Sequence, residues 1–396
     1  MLLLQLLIGT AALLLLVPIA VLAVEIFAAL ADRVAAPPPQ RRPRVAVIMP
    51  AHDEALTISG TIRALLPQLL ASDRLLVVAD NCSDATASVA GELGAEVAVR
   101  TDPTRRGKGY ALDFGMRCLE RDPPEIVLIV DADCRLGNGS VDILARSCAA
   151  SGSPVQARYL MQSPPGAGPM LRIAEFAFVL KNAVRPLGLR RLGFPCQLVG
   201  TGMAFPWALL RGANLATGHI VEDLKLGLEL ALCGTAPLFC PEAQVTSTFP
   251  ESDEGFRSQR TRWEHGYLAV LTEETLSIFR TAVMRRDARL VAMGLDLVVP
   301  PIALLTLLTG AVWVASALLY LQTRVAPPFA MASAVAGLLV VCVFAAWARY
   351  GRQVVSLGSL MLALVYALWK IPLYVKFVVA RQIHWVRSKR DQERST

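Results

Sequence analysis

The chain has 396 residues, is 54% hydrophobic with a mean hydropathy of +0.49, and carries a formal net charge of +7. Such a composition is too apolar for an ordinary soluble protein and indicates a membrane protein. The positive balance would suit nucleic acid, but many arginines border apolar segments, where they set orientation and meet anionic headgroups, so no nucleic-acid partner is expected.

Residues 2–24 contain no charge. At 1.5 Å per residue, about 20 residues suffice to cross a hydrocarbon core of about 30 Å, so one spanning helix fits within residues 1–30. A secretory signal is the alternative, but a basic n-region is missing and the apolar stretch is longer than an h-region, so an uncleaved anchor is expected. Arg33 and the run Pro37–Arg44 then read as a stiff basic linker, which the positive-inside rule assigns to the cytoplasm. The N-terminus is thereby expected outside.

Residues 44–285 are soluble in character and of a size suited to one large domain. Short apolar runs alternate with helical patterns. Val45–Met49 precedes a helix through Ile62–Leu70, Leu75–Ala79 a helix after Ser83 and Asp84, and Val97–Val99 a helix over Gly109–Leu119; the very apolar Ile126–Val130 follows. The alternation predicts an α/β domain with a mainly parallel sheet and a Rossmann-like first half. In that architecture ligands bind beyond the carboxyl ends of the strands.

Those ends are polar. The first delivers His52, Asp53 and Glu54, the second Asp80 to Asp84, the fourth Asp131 and Asp133. Asp80 directly follows its strand and reads as a ligand contact, whereas Ser83 and Asp84 suit helix capping equally well. The loop Arg105–Gly109 is not a Walker A loop, since Asp102 stands at its first glycine position. Lys108 could hold a phosphate there or belong to a solvated loop. Asp131 and Asp133, one residue apart, are hard oxygen donors suited to Mg²⁺ or Mn²⁺ carrying substrate phosphates, although D-x-D alone is a common pattern.

Further along, Gly200–Phe205 offers a backbone that a sugar can approach closely, with Gly202 at its centre. Glu222 and Asp223 open a helix running toward Cys233, where negative charge also suits the helix dipole. Gln259–Trp263 lies in a helical, mixed aromatic and charged stretch. Arg262 offers a fork of donors for phosphate and Trp263 a face for a sugar ring, while packing at the membrane surface suits the same residues.

The C-terminal region, residues 286–396, holds apolar stretches over 290–321, interrupted by Asp296 and Pro300–Pro301, and over 329–348. These read as an antiparallel pair of spans. Lys370 and Lys376 punctuate 355–380, and a full crossing would leave Arg381, Arg387, Lys389 and Arg390 outside. An interfacial or re-entrant element is therefore favoured, a further span remains open, and the basic tail is expected in the cytosol. Eight scattered cysteines show neither zinc spacing nor a disulfide framework.

D-x-D, Glu222-Asp223 and Q-x-x-R-W, in that order and flanked by apolar segments, resemble the membrane-embedded glycosyltransferases of family 2. That group includes cellulose, chitin, hyaluronan and poly-N-acetylglucosamine synthases and, more distantly, ceramide glucosyltransferases. The resemblance covers about residues 44–270 and implies a GT-A-like cytosolic domain with flanking transmembrane helices. It implies Asp223 as general base, and Asp53, Glu54, Asp80, Lys108, Asp131, Gln259 and Arg262 as donor contacts. Gly202, Glu222 and Trp263 would face the acceptor, and Asp131 with Asp133 would hold Mg²⁺ or Mn²⁺. The expected reaction is inverting transfer of a hexose or N-acetylhexosamine from a UDP-sugar to a growing β-linked polysaccharide at the inner face of a bacterial-type plasma membrane. The alternative acceptor is a membrane lipid glycosylated once. A partner subunit completing an export route is compatible with the first. The sequence departs from many relatives at Asp80-Asn81-Cys82-Ser83-Asp84, where paired aspartates are common, and at Val221, where threonine is frequent.

Overall fold

The computed structural model describes residues 1–31, 41–250 and 252–381. The expected linker is therefore described only from Arg41 onward, and the basic tail beyond Arg381 lies outside the described residues, as does Arg33. The chain divides into two units. One combines the N-terminal helix with Ser163–Phe194 and Leu271–Arg381, and the other holds the described residues of Val34–Gln162 and Pro195–Val270.

The second unit is built on an eight-stranded sheet: β1 (Val45–Ala51), β2 (Arg74–Asp80), β3 (Glu96–Arg100), β4 (Ile126–Ile129), β5 (Arg135–Leu136), β6 (Val155–Gln162), β7 (Met203–Pro206) and β8 (Leu238–Thr248), in the order β3-β2-β1-β4-β7-β6-β8-β5. The first four strands pair in parallel, β7 runs antiparallel to β4 and β6, β6 and β8 are parallel, and β5 closes the edge antiparallel to β8. β1, β2 and β4 are buried almost throughout, which is why they read as unbroken apolar runs rather than as alternation.

Two helices of this unit share one core face of the sheet. Leu112, Met116 and Leu119 of helix Lys108–Leu119 and Leu226 and Leu230 of helix Glu222–Leu232 join Ile48, Val78, Val127, Ile129 and Phe205 in a single buried cluster. A side chain at Gly115 would meet Ile48 and Val78 at 3.0 Å, so glycine there lets the first of these helices lie close on β1 and β2. Lys108 and the pair Glu222-Asp223 sit at the starts of these two helices.

The other unit is helical. Among the described residues, four segments are long and apolar enough to cross a membrane: Leu2–Ala29, Ile302–Thr323, Pro327–Gly351 and Leu357–Val379. The stretch expected as one span over 290–321 is two helices, Ala288–Leu297 and Ile302–Thr323, because Pro300 and Pro301 remove backbone donors and disfavour helical conformation before them. The last segment consists of three short helices, Leu357–Leu360, Ala363–Trp369 and Ile371–Val379, with breaks at Leu362 and at Lys370 before Pro372.

Ser163–Phe194, expected within the soluble domain, contributes helices Pro169–Val179 and Arg185–Arg191 to this membrane unit. Its Arg185 neutralises two acids that interrupt apolar helices. Nε lies 2.6 Å from Glu25 and Nη2 lies 2.5 Å from Asp296, all three being buried. Losing one partner of such a cluster strands a buried charge, which is far more costly than the net worth of the pairing.

Candidate active site

The D-x-D turn follows β4 and is held from three sides. The Cys134 N–H donates to the Asp131 carbonyl at 3.1 Å, Thr61 Oγ1 donates to the Ala132 carbonyl at 2.7 Å, and the Asp131 N–H donates to Thr201 Oγ1 at 3.1 Å. The turn leaves Asp131 half-buried and Asp133 exposed. The oxygens of Asp131 and Asp133 and the Cys134 sulfur lie within 4.8 Å of one another. Burial, reinforced by the two neighbouring carboxylates, keeps the Cys134 thiol protonated. The donors available to a metal are thus two hard carboxylates, one of them open to solvent. This set fits Mg²⁺ or Mn²⁺, ions that keep several waters and share substrate phosphates.

Lys108 reaches into the same place. Its Nζ is 2.5 Å from Asp131 Oδ1 and donates to the Gly200 carbonyl at 2.6 Å. Burial alone would lower its pKa, but Asp131, Glu222 and Asp223 outweigh burial and raise it, so the ammonium is a fixed charge. Burial pushes the Asp131 carboxyl up, with Lys108 opposing.

Asp223 faces this lysine. The position a Cβ would take on Gly200 is 3.1 Å from Asp223 Oδ2 and 3.7 Å from Lys108 Nζ. Gly200 also has a φ of +95°, so a side chain there would be both strained and crowded against the carboxylate. Gly202 is placed differently, since a Cβ on it would meet Val245 at 2.5 Å and Ala157 at 2.9 Å between β6 and β8. Among these two glycines, Gly200 is the one beside Asp223.

Gln259, Arg262 and Trp263 come from the first part of the long helix Asp253–Arg285. One turn after Arg262, a Cβ on Gly266 would lie 2.6 Å from Val221 Cγ1, so glycine lets this helix pass close to the residue before Glu222. Burial lowers the Arg262 pKa, while Glu222, Asp131, Asp133 and Asp223 all act to raise it. Its guanidinium therefore lies within the field of all four acids. Arg262 Nε and Gln259 Oε1 are buried without a hydrogen-bond partner among the described residues. Each orphaned group costs about 1–3 kcal/mol, a penalty that a polar ligand relieves. Trp263 is half-buried.

At the end of β2, Asp80 is buried and its Oδ1 accepts from Arg100 Nη1 at 2.5 Å and from Asn81 Nδ2 at 3.0 Å. Asp53 and Asn81 both have positive φ, 51° and 52°, an uncommon conformation for residues with side chains and one that clusters at functional sites. Asp53 Oδ1 accepts from the Ser83 N–H at 2.6 Å, and Glu54 Oε2 from Thr57 Oγ1 at 2.6 Å. Asp84 accepts from the Thr86 N–H at 2.9 Å and the Ala55 N–H at 3.0 Å, bonds that brace the loop before helix Thr86–Glu92. Asp53, Cys82 and Asp84 also come within 4.8 Å of one another, but these bonds account for the two carboxylates as braces of the loop.

Several positioning residues carried no local signal. Buried Gln156 accepts from the Val199 N–H and donates to the Thr201 carbonyl, each at 2.9 Å, and so pins the loop that carries Gly200. Thr201, fully buried, links that loop to Asp131. Arg100 ties Asp80 to Asp102, at 3.1 Å, in the loop that leads to Lys108. Each joins residues distant in sequence. A small cleft, partly open to solvent, is lined by Glu222, Asp223, Lys225 and Thr217 together with Leu112, Met203 and Leu226.

Burial, then Asp223, raises the Glu222 carboxyl from 4.5 to about 7, with Lys108 opposing. A carboxyl that binds its proton more tightly when folded contributes stability that is fully present below pH 4.5 and lost as the pH rises through about 7. Glu222→Gln is therefore expected to raise the melting temperature of the metal-free protein at about pH 8 and to leave it unchanged at about pH 4. Equal shifts at both values would contradict this.

The family model described as glycosyltransferase-like family 2 matches residues 43–266, more than half of the chain. The chain belongs to this family. Its mixed, mainly parallel sheet, with membrane-length helices before and after it in the sequence, is the GT-A-like arrangement that the resemblance implies. A probable glycosyltransferase of Bacillus subtilis (strain 168), YdaM, is 24% identical over 263 residues, covering 60% of this chain and 58% of that protein. The 4,4'-diaponeurosporenoate glycosyltransferase of Staphylococcus haemolyticus (strain JCSC1435) is 26% identical over 245 residues, covering 58% of this chain and 62% of that protein. The match thus spans about three fifths of each relative. Among solved structures, the mannosyltransferase PcManGT from Pyrobaculum calidifontis, in complex with GDP-Man and Mn²⁺, is similar over 87% of this chain and 99% of that one, at 17% identity and a TM-score of 0.49.

Proposed function

We propose that this family 2 glycosyltransferase moves a hexose or N-acetylhexosamine from a UDP-sugar to an acceptor hydroxyl with inversion at the anomeric carbon. The reading is carried by one juxtaposition: Asp223 borders Gly200, and the same Gly200 carbonyl binds the lysine that holds Asp131. A base and a phosphate-binding centre are thereby within one side chain's reach. Asp223 accepts the proton of the acceptor hydroxyl as its oxygen bonds to the anomeric carbon. The bond from that carbon to the diphosphate oxygen breaks, and its electron pair leaves with the nucleotide. Arg262 and Gln259 hold the departing diphosphate and the sugar through the atoms that otherwise lack partners. Asp131 and Asp133 hold a Mg²⁺ or Mn²⁺ ion, whose contribution is to neutralise charge on the diphosphate. Asp53, Glu54 and Asp80 line the nucleoside side, and Glu222, Trp263 and the Gly200–Gly202 loop the acceptor side.

The four membrane-length segments and the basic residues that follow the first support an integral membrane protein with a cytoplasmic catalytic domain and an external N-terminus. The acceptor in the first reading is a growing β-linked polysaccharide, with room for an export partner. The second reading, a single transfer to a membrane lipid, is favoured by the relative whose name gives 4,4'-diaponeurosporenoate as its acceptor. Membranes containing the protein, incubated with labelled UDP-sugars, distinguish them by product size. A ladder or polymer means processive synthesis, one organic-soluble species means lipid glycosylation, and no labelled product with any UDP-sugar contradicts the proposed donor.

A further inference from the structure

We infer that Lys108 is a tethered cation that occupies Asp131 until the donor's diphosphate arrives, so that entry of a divalent cation depends on the nucleotide. The inference rests on the metal reading of Asp131 and Asp133 above. The ammonium is not loosely placed. One side of it lies 2.5 Å from Asp131 Oδ1, the other donates to the Gly200 carbonyl at 2.6 Å, and only 17% of the side chain is exposed. Its backbone is fixed as well. The next residue, Gly109, packs closely against the 215–217 loop, where a Cβ would meet the Thr217 carbonyl at 2.6 Å.

A divalent ion and an ammonium cannot both sit against the same carboxylate oxygen without strong like-charge repulsion. Even at the other Asp131 oxygen a cation would lie beside that ammonium, which leaves Asp133, exposed two residues on, as the less opposed donor, and one carboxylate is a poor site for a hard cation that seeks several oxygens. A diphosphate changes the balance. It offers Lys108 a more highly charged partner while the flexible stem swings only its tip, and Asp131 is then released to face a cation that the phosphates also bind. Nucleotide and metal should therefore bind cooperatively, and by linkage each should tighten the other by the same factor.

The test measures binding of Mn²⁺ alone to the full-length protein, by the paramagnetic signal of the free ion, and then repeats it with UDP. Wild type should bind Mn²⁺ weakly alone and about 5- to 150-fold more tightly with UDP. Lys108→Met should bind Mn²⁺ alone about tenfold more tightly than wild type and lose most of the UDP effect, whereas Lys108→Arg should behave as wild type. The Mn²⁺-alone comparison does not depend on which nucleobase the site takes. Unchanged Mn²⁺ affinity in a folded Lys108→Met, with binding still abolished in Asp133→Ala, overturns the role of Lys108 and leaves the metal reading intact. Mn²⁺ binding that Asp133→Ala does not alter overturns both. Should Lys108→Met not fold, the wild-type protein decides, since Mn²⁺ binding equally tight with and without UDP also overturns the inference.

Discussion

Asp223→Asn is expected to lower sugar transfer by about 10² to 10⁴, the usual contribution of a positioned base, while leaving nucleotide binding close to wild type. Asparagine keeps the shape and the helix-start position but cannot take a proton from the acceptor. The split between rate and binding is the informative part. Asp223 borders Gly200, whereas the nucleoside is proposed to sit on the Asp80 side, so its loss should be felt in turnover. Single-turnover rates with saturating donor, beside a nucleotide titration of the same preparation, measure both quantities. Turnover within a few-fold of wild type would remove Asp223 from this role.

Asp133→Ala is expected to act on binding instead. It removes the exposed carboxylate of the D-x-D turn and leaves Asp131 to Lys108. Metal-dependent nucleotide affinity should fall by at least about 10- to 100-fold, since even groups that merely orient metal ligands are worth that much. Chelating the divalent ion from the wild-type protein should reproduce the loss, and adding chelator to the variant should do little more. Titrations that match wild type both with and without Mn²⁺ would show that Asp133 holds no metal.

The parts of this site legible in the sequence are those written locally. β4 is an unbroken apolar run that ends in two acids, so a buried parallel strand and a polar strand end could be read together. Gln259 and Arg262 are three residues apart and thus share a helix face, and Glu222-Asp223 opens a helix as its dipole favours. What escaped the reading is written across long separations. The lysine of the glycine-rich loop was visible, but its pairing with Asp131 depends on two strands and a helix meeting at one edge. Gln156 and Thr201 look like ordinary strand and loop residues until the Gly200 loop folds onto them. Gly266 inside a long helix reads only as a weak point until Val221 is found against it. The apolar runs within Ser163–Phe194 are short and broken by charge, so the segment reads as part of the soluble domain, yet it belongs to the helical unit and its Arg185 supplies the counter-charge for acids in two apolar helices. The break before Ile302 was signalled by Pro300-Pro301, whose effect outweighs the continuity of hydropathy on either side.

The central claim is that the D-x-D turn, Asp223 and the Gln259–Trp263 helix segment form a single sugar-transfer centre. It is tested most directly by determining the structure of the full-length protein with Mn²⁺ and the nucleoside diphosphate it binds most tightly. The account expects the diphosphate between Asp133 and Arg262, with the Asp223 carboxylate facing the open end where the sugar would project. A nucleotide bound away from these residues, or an Asp223 side chain turned out of that cleft, would contradict it.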